Sequence, residues 1–451
     1  MAKSKKTSVD RRNFLKSATV GAAALVATPV AAADAVANPH PVPSPRNAAA
    51  PLPPVSRRAE ADAAAAAANP DPNIEPITVD HPGSDFMVDA FKAAGFEYLC
   101  SNPGNSFRSL HESFINYGGN KDPEFITCCH EESAVGMAHG YFKIEGKPLL
   151  VCVHGTVGVQ HASMAIYDAF CDRVPLVVVL GNFGDAQTRA SFVNWTHSAQ
   201  DPAALIRDFV KWDDQPVTLQ GFAESVMRAY RVAMTPPYMP VALVCDTDLQ
   251  EFPIPNDPTL RVPPVTIDRP PQGDSGSVQE AAKLLVAAEN PVIVVDRAAR
   301  TPAGLALIIE LAEALQAAVV DRNGRMNFPT RHPLNQTECG GAAIADADVI
   351  LGLELTDFYG IVNAYYGDVY PRTRLLTKPG AKLISINSND LYMRSNYQDI
   401  QRYYAADLAM AADDSIWLIV AVTASGADAP RAFVCDDGAI RVREIAVTKA
   451  G

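Results

Sequence analysis

Leu149-Leu150-Val151-Cys152-Val153, a helical pattern from Gln160 to Phe170, and Pro175-Leu176-Val177-Val178-Val179-Leu180 follow one another along the chain. A strand with one wet face alternates apolar and polar residues, whereas both of these runs are continuously apolar. Strands of that kind are covered on both faces, and a helix between two of them makes the pair parallel. The same alternation extends outward. Upstream lie a helix from Phe86 closed by Gly95, a strand at Tyr98-Leu99-Cys100, a turn at Asn102-Pro103-Gly104-Asn105, a strand at Phe125–Cys129 and a helix from His130 to Tyr141. Downstream, Pro240–Cys245 reads as the last strand of this unit.

Residues 254–272 are punctuated by proline and read as a linker. A second alternation follows: helix Val278–Glu289, strand Pro291–Val295, helix Leu305–Leu315, and strands at Ala318–Val320, Val349–Leu353 and Lys382–Ile386. The fold expected is α/β, two three-layer domains with mainly parallel sheets, the second Rossmann-like.

The chain has 451 residues, too many for one ordinary domain. Lys and Arg number 38 against 51 Asp and Glu, a net charge of -13. So acidic a chain has no global attraction for nucleic acid or an anionic membrane. Eight cysteines without a CxxC pair exclude a disulfide-dense scaffold or zinc knuckle. No GxGxxG follows a strand, which argues against an ordinary dinucleotide-binding oxidoreductase.

The chemistry-bearing stretch is Cys129-His130-Glu131-Glu132-Ser133-Ala134, at a strand-to-helix junction. Ligands in open α/β sheets sit at the carboxyl ends of strands, so a carboxylate there is a candidate acid or base. A first-turn Glu is also favoured by the helix dipole and needs no function. Glu132 reads as a solvated or capping neighbour. Ala134, Gly136, Ala138 and Gly140 allow close approach to the helix. Metal binding by Cys129, His130 and Glu131 is disfavoured, since adjacent residues rarely point at one centre.

The run His130-Glu131-Glu132-Ser133-Ala134-Val135-Gly136-Met137-Ala138-His139-Gly140-Tyr141 resembles the cofactor-activating helix of thiamine diphosphate-dependent enzymes of the acetolactate synthase and benzoylformate decarboxylase types. Neighbouring pieces arrive in the family's order: Asn102-Pro103-Gly104-Asn105 as the first substrate-facing turn, His154–Ala162 as a glycine-containing loop, and Asp172-Arg173-Val174-Pro175 before the next strand. Gly324-Arg325-Met326-Asn327-Phe328-Pro329 and His332-Pro333-Leu334 resemble its central domain. The resemblance divides the chain into a pyrimidine-binding domain at 82–253, a linker at 254–274, a central domain at 275–425 and a tail at 426–451.

The resemblance implies that Glu131 hydrogen-bonds the pyrimidine ring and favours its imino tautomer, which deprotonates the thiazolium carbon for attack on a 2-oxo acid. His154 falls where the benzoylformate decarboxylase type has a catalytic histidine; a histidine capping the strand end through backbone bonds is the equal alternative. Asn105 and Ser106 face substrate, although an asparagine tolerated at positive φ also accounts for Asn105. Gly158, Gln160 and His161 line the pyrimidine pocket, with His161 replacing the family's usual Asn. FAD or a nucleotide occupies the central domain in some members, and nothing here fixes one.

The family's third domain holds the diphosphate through Mg²⁺ with Gly-Asp-Gly and a later Asn. Gly367-Asp368-Val369 with Asn396 imitates the spacing, but Pro371 stands where a helix should open. Asp436-Asp437-Gly438 lies too near the end of the sequence. No metal ligand is therefore expected within this chain. A second chain carrying that domain is expected as partner, with or without a homo-oligomer, since affinity for a diphosphate comes from a metal and backbone donors. The leading expectation is a subunit of a decarboxylase or carboligase acting on 2-oxo acids. The alternative is a non-catalytic exported binding or regulatory subunit.

Residues 1–37 read as an export signal. Lys3, Lys5, Lys6, Arg11, Arg12 and Lys16 stand against Asp10 alone, and Asp10-Arg11-Arg12-Asn13-Phe14-Leu15-Lys16 resembles the twin-arginine motif. A mild apolar run, Ser17 to Ala33, ends in small residues suited to cleavage. Residues 38–81 form a Pro/Ala-rich tether that cannot build a core. These features predict a periplasmic or other extracytoplasmic protein without a membrane anchor after cleavage. In that oxidising destination the eight cysteines are expected to be buried apolar residues. Replacing Arg11-Arg12 by Lys-Lys should trap the precursor inside the cell, as fractionation reads; undiminished export would exclude the twin-arginine route.

Overall fold

The computed structural model describes residues 79–189, 192–367, 372–391 and 402–413, with the backbone of 431–436 and 439–444. The export signal at 1–37, nearly all of the tether, Asp368, Val369 and Asn396 lie outside the described residues. The first domain is a parallel sheet of β1 (Tyr98–Ser101), β2 (Glu124–Thr127), β3 (Leu150–Val153), β4 (Val177–Asn182), β5 (Trp212–Asp214) and β6 (Val241–Asp246), in the spatial order β2-β1-β3-β4-β6-β5. Its helices are α1 (Gly83–Ala94), α2 (Glu131–Glu145), α3 (Gly155–Cys171) and α4 (Leu219–Ala233).

Both faces of the sheet are covered, as the apolar runs require. Leu150 and Cys152 of β3 join Phe91, Phe107 and Phe222 in one core, whereas Val151 and Val153 join Val135 and Ile166 in the other. The central domain repeats the plan with α5 (Ser275–Ala287), α6 (Pro302–Leu315) and a parallel sheet of β7 (Pro291–Val295), β8 (Ala318–Asp321), β9 (Val349–Leu353), β12 (Lys382–Ile386) and β13 (Leu408–Met410). Between them in sequence lies the antiparallel pair β10 (Asn363–Tyr366) and β11 (Arg372–Leu375).

Four features depart from the sequence expectation. The stretch expected as a glycine-containing loop at 154–162 is helical from Gly155, because Gly155 and Gly158 serve close packing rather than flexibility. The edge strands β5, β10, β11 and β13 are short, and edges lack the continuous apolar signature of a buried strand. Residues 431–436 and 439–444, expected as tail, pair as the antiparallel strands β14 (Arg431–Asp436) and β15 (Ala439–Glu444). Cys129 and Cys339 are exposed, contrary to the expectation for all cysteines, while Cys100, Cys128, Cys152 and Cys245 are buried. Cys129 projects from the β2–α2 junction, and Cys339 ends a 3-10 turn, Thr337–Cys339, so neither lies on a core face.

Asp172, just past α3, joins the two domains. It accepts from His139 Nε2 and Lys143 Nζ of α2, each at 2.8 Å, and from Arg325 Nη1 at 2.6 Å. Burial alone would push this carboxyl up, but His139, Lys143 and Arg325 together hold it well below the ordinary carboxylate range. Two motifs far apart in sequence, Asp172-Arg173 and Gly324-Arg325, therefore meet in one ion cluster.

Candidate active site

In the first sheet β1 lies between β2 and β3, so the chain order reverses there and a crevice opens at the carboxyl ends. The segment after β1 carries Asn105 and Ser106, β2 leads to Glu131, and β3 leads to His154. His130 caps α2: its backbone is extended, and its Nδ1 accepts from Glu132 N–H at 3.2 Å. Glu131 then enters the helix with its side chain inward.

Glu131 is 4 % exposed, and its Oε2 has no hydrogen-bond partner among the described residues. His161 Nδ1, on α3, stands 3.4 Å from that oxygen. A Cβ at position 158 would lie 3.1 Å from Glu131 Oε1 and 3.1 Å from His154 Cβ, so glycine lets carboxylate, helix and histidine share this space. A Glu held only by the helix dipole would resemble its neighbour Glu132, which is exposed. Burial without a partner needs another explanation.

His154 Nδ1 lies 2.7 Å from Ser106 Oγ, which also accepts from Gly155 N–H at 2.9 Å. Ser106 is fully buried, so its hydroxyl proton is directed to Nδ1, and His154 is assigned the tautomer with its own proton on Nε2. His154 is the N-cap of α3: its backbone carbonyl accepts from Gly158 N–H at 2.9 Å, and among the described residues its side chain makes no hydrogen bond to the helix start. Burial lowers its pKa to about 4, reinforced by His197 and opposed by Glu131. The imidazole is therefore neutral near neutral pH.

Asn105 opens a 3-10 turn and is not at positive φ. Its Nδ2 donates to Asn194 Oδ1 at 3.0 Å, while its Oδ1 accepts from Arg108 Nη1 at 3.1 Å. Gln160 is not brought to Glu131. It lies two residues from Gly158 on α3, a rotation of roughly 200° around the helix, and it is exposed.

Sequence reasoning passed over Asn194 and His197. The His197 ring stacks on His154, centroids 4.5 Å apart and planes 9° from parallel, and its carbonyl accepts from Thr156 N–H at 3.4 Å. Their signal was available: a His/Asn/Trp-bearing segment after the carboxyl end of β4, where crevice residues belong. The adjacency argument against a metal also missed a third group. His130, Glu131 and His161 offer ligand atoms all within 4.8 Å of one another, His161 arriving from a second helix.

Two family models match this chain: the N-terminal thiamine pyrophosphate (TPP) binding domain of thiamine pyrophosphate enzymes over residues 81–205, and their central domain over 278–413. The chain belongs to the thiamine pyrophosphate enzyme family. It is 28% identical over 249 residues to benzoylformate decarboxylase of Pseudomonas aeruginosa, covering 53% of this chain and 44% of that one. It is 25% identical over 287 residues to the acetolactate synthase large subunit of Haemophilus influenzae, covering 60% and 48%. The solved benzoylformate decarboxylase from Polynucleobacter necessarius shares the fold, with a TM-score of 0.59 at 21% identity over 74% of this chain and 60% of that one. The chain spans about half the length of the curated relatives it matches.

The state of His154 makes stability depend on pH. Between about pH 4 and 6.5 the unfolded chain binds a proton on this residue that the folded chain refuses. Stability from this group is thus full above the upper value and lost as pH falls through the lower one. Urea unfolding across that window should show a rise with pH that His154→Gln flattens; an unchanged slope in the variant would contradict the assignment.

Proposed function

We propose that this chain supplies the pyrimidine-binding half of a thiamine diphosphate-dependent decarboxylase or carboligase acting on 2-oxo acids, with Glu131 as the activating carboxylate. The observation that carries this reading is the buried Glu131 Oε2 without a partner, beside a glycine whose Cβ would crowd the same carboxylate. These residues fit the pyrimidine half of the cofactor: an acceptor waiting for a ring N–H, and a cleared wall at Gly158. When bound, thiamine diphosphate supplies the carbon nucleophile and the electron sink for carbon dioxide loss.

The chain's own residues then have separable duties. Glu131 holds or releases a proton at the pyrimidine ring nitrogen, in a setting from which water is excluded. His161 forms the solvent side of that slot. Neutral His154, held by Ser106 at Nδ1, presents Nε2–H as a donor toward the substrate crevice. Asn105, fixed by Asn194 and Arg108, presents a polar wall on the same side.

The diphosphate and Mg²⁺ are assigned to a domain on a second chain. Beside Glu131, among the described residues nothing lies within 4 Å of a Cβ built at Gly136 or Gly140 on the outer face of α2, and Ile144 is 83% exposed. Met137 of the same face, Met164 of α3 and Trp195 are exposed as well. An apolar, small-residue face next to a half-built cofactor site suits a subunit contact. The order of basic, apolar and small residues at 1–37 supports a place outside the cytoplasm.

Glu131→Gln keeps the shape of the side chain and removes its proton chemistry. In the native complex it should lower decarboxylation of 2-oxo acids by about 10²–10⁴-fold with thermal unfolding little changed. Full activity in this variant would return the non-catalytic binding-subunit reading.

A further inference from the structure

Three groups decide which way the half-buried His154 ring faces. Ser106 Oγ holds its Nδ1 at 2.7 Å. A Cβ at position 104 would come within 2.6 Å of His154 Cβ and 2.7 Å of its Cγ, so the Gly104 backbone closes against the root of the ring. The His197 ring covers the face, centroids 4.5 Å apart and planes 9° from parallel. A single hydrogen bond leaves the imidazole free to swing about it. A second ring laid flat on the face stops that swing.

The segment that carries His197 is anchored so as to bring it there. It follows the short helix Phe192–Thr196, and the His197 carbonyl accepts from Thr156 N–H in the first turn of α3. A Cβ at position 155 would stand 2.1 Å from that carbonyl oxygen, so glycine at the start of α3 is what lets the segment lie on it. Asn182, at the end of β4, accepts from Ala199 N–H at 3.2 Å and donates to Asp246 Oδ1 at 2.8 Å. Buried Asn194 accepts from Asn105 Nδ2 at 3.0 Å. The position of His197 is thus set from β4, from α3 and from the turn after β1.

We infer that His197 is a positioning residue for His154: its ring fixes the plane in which His154 Nε2–H points into the crevice, and the stacked pair admits one proton at most. Among the described residues, His197 on the face and Glu131 across Gly158 are the titratable groups that act on His154. Two charged imidazoles this close repel strongly where water is scarce. Burial and His197 therefore keep His154 neutral against Glu131, which favours the cation. The donor duty of His154 rests on the cofactor reading above; its placement by His197 does not.

The test is a heteronuclear NMR titration of His154 in the full chain without cofactor, beside His197→Phe, His197→Ala and Trp195→Ala. The parent chain should show a single Nε2–H tautomer that gains its proton only near pH 4. His197→Phe keeps a flat ring without charge, so the tautomer should persist while the titration moves part of the way toward the ordinary value of 6.5. His197→Ala should give two exchanging tautomers and a larger upward move. Trp195, exposed in the same segment, should change neither when replaced. Parent-like tautomer and titration in the alanine variant, unchanged titration in the phenylalanine variant, or identical behaviour of the two would overturn the inference. Thermal unfolding verifies that each variant is folded, and the phenylalanine variant decides alone if the alanine variant is not. In the native complex His197→Ala should lower kcat/KM for 2-oxo acids by about ten- to a hundredfold, with phenylalanine recovering most of it. A lost tautomer with undiminished activity would sustain this inference and remove His154 from the catalytic reading.

Discussion

The Glu131 carboxylate is buried because α2 and α3 meet through small side chains. Ala134 and Ala138 of α2, and Gly158, Ala162 and Ala165 of α3, lie in the contact. Larger residues there would hold the helices apart and let water reach the carboxylate. Burying a carboxyl oxygen without a hydrogen-bond partner is costly, and Oε2 finds none among the described residues. A cost of that kind placed at the carboxyl edge of a sheet is characteristic of a site prepared for a ligand.

The same two helices are fixed at their far ends. Asp172 closes α3, takes His139 and Lys143 of α2, and takes Arg325 of the central domain. Arg297 Nε stands 3.7 Å from the same carboxylate. The cluster ties the helix pair to the second domain, so the spacing between Glu131 and Gly158 is held from both ends. At the central domain's own strand reversal, between β7 and β9, Arg297 bonds Asp296 Oδ2 at 2.7 Å and also meets Thr356. That crevice is organised by ion pairs within the chain.

The sheets were legible because buried parallel strands leave continuous apolar runs: Pro291–Val295 and Val349–Leu353 occupy the residues expected of them, and Lys382–Ile386 does so although Lys382 and Ser385 interrupt its apolar residues. Edge strands such as Trp212–Asp214 carry no such mark. At the site, Glu131, Gly158 and His161 converge, and Ser106 meets His154. Gln160 is turned away from Glu131 because the stretch expected as a loop is a helix. Asn194 and His197 carried only the positional signal of following β4; tertiary contact brings that segment back over His154, and no local periodicity encodes the return.

The most direct test of the account is the intact mass of the assembly isolated from its native cell under non-denaturing conditions. The account predicts thiamine diphosphate and Mg²⁺ bound, together with a second chain that carries the Gly-Asp-Gly diphosphate-binding motif. A homo-oligomer of this chain holding neither cofactor nor partner would contradict it.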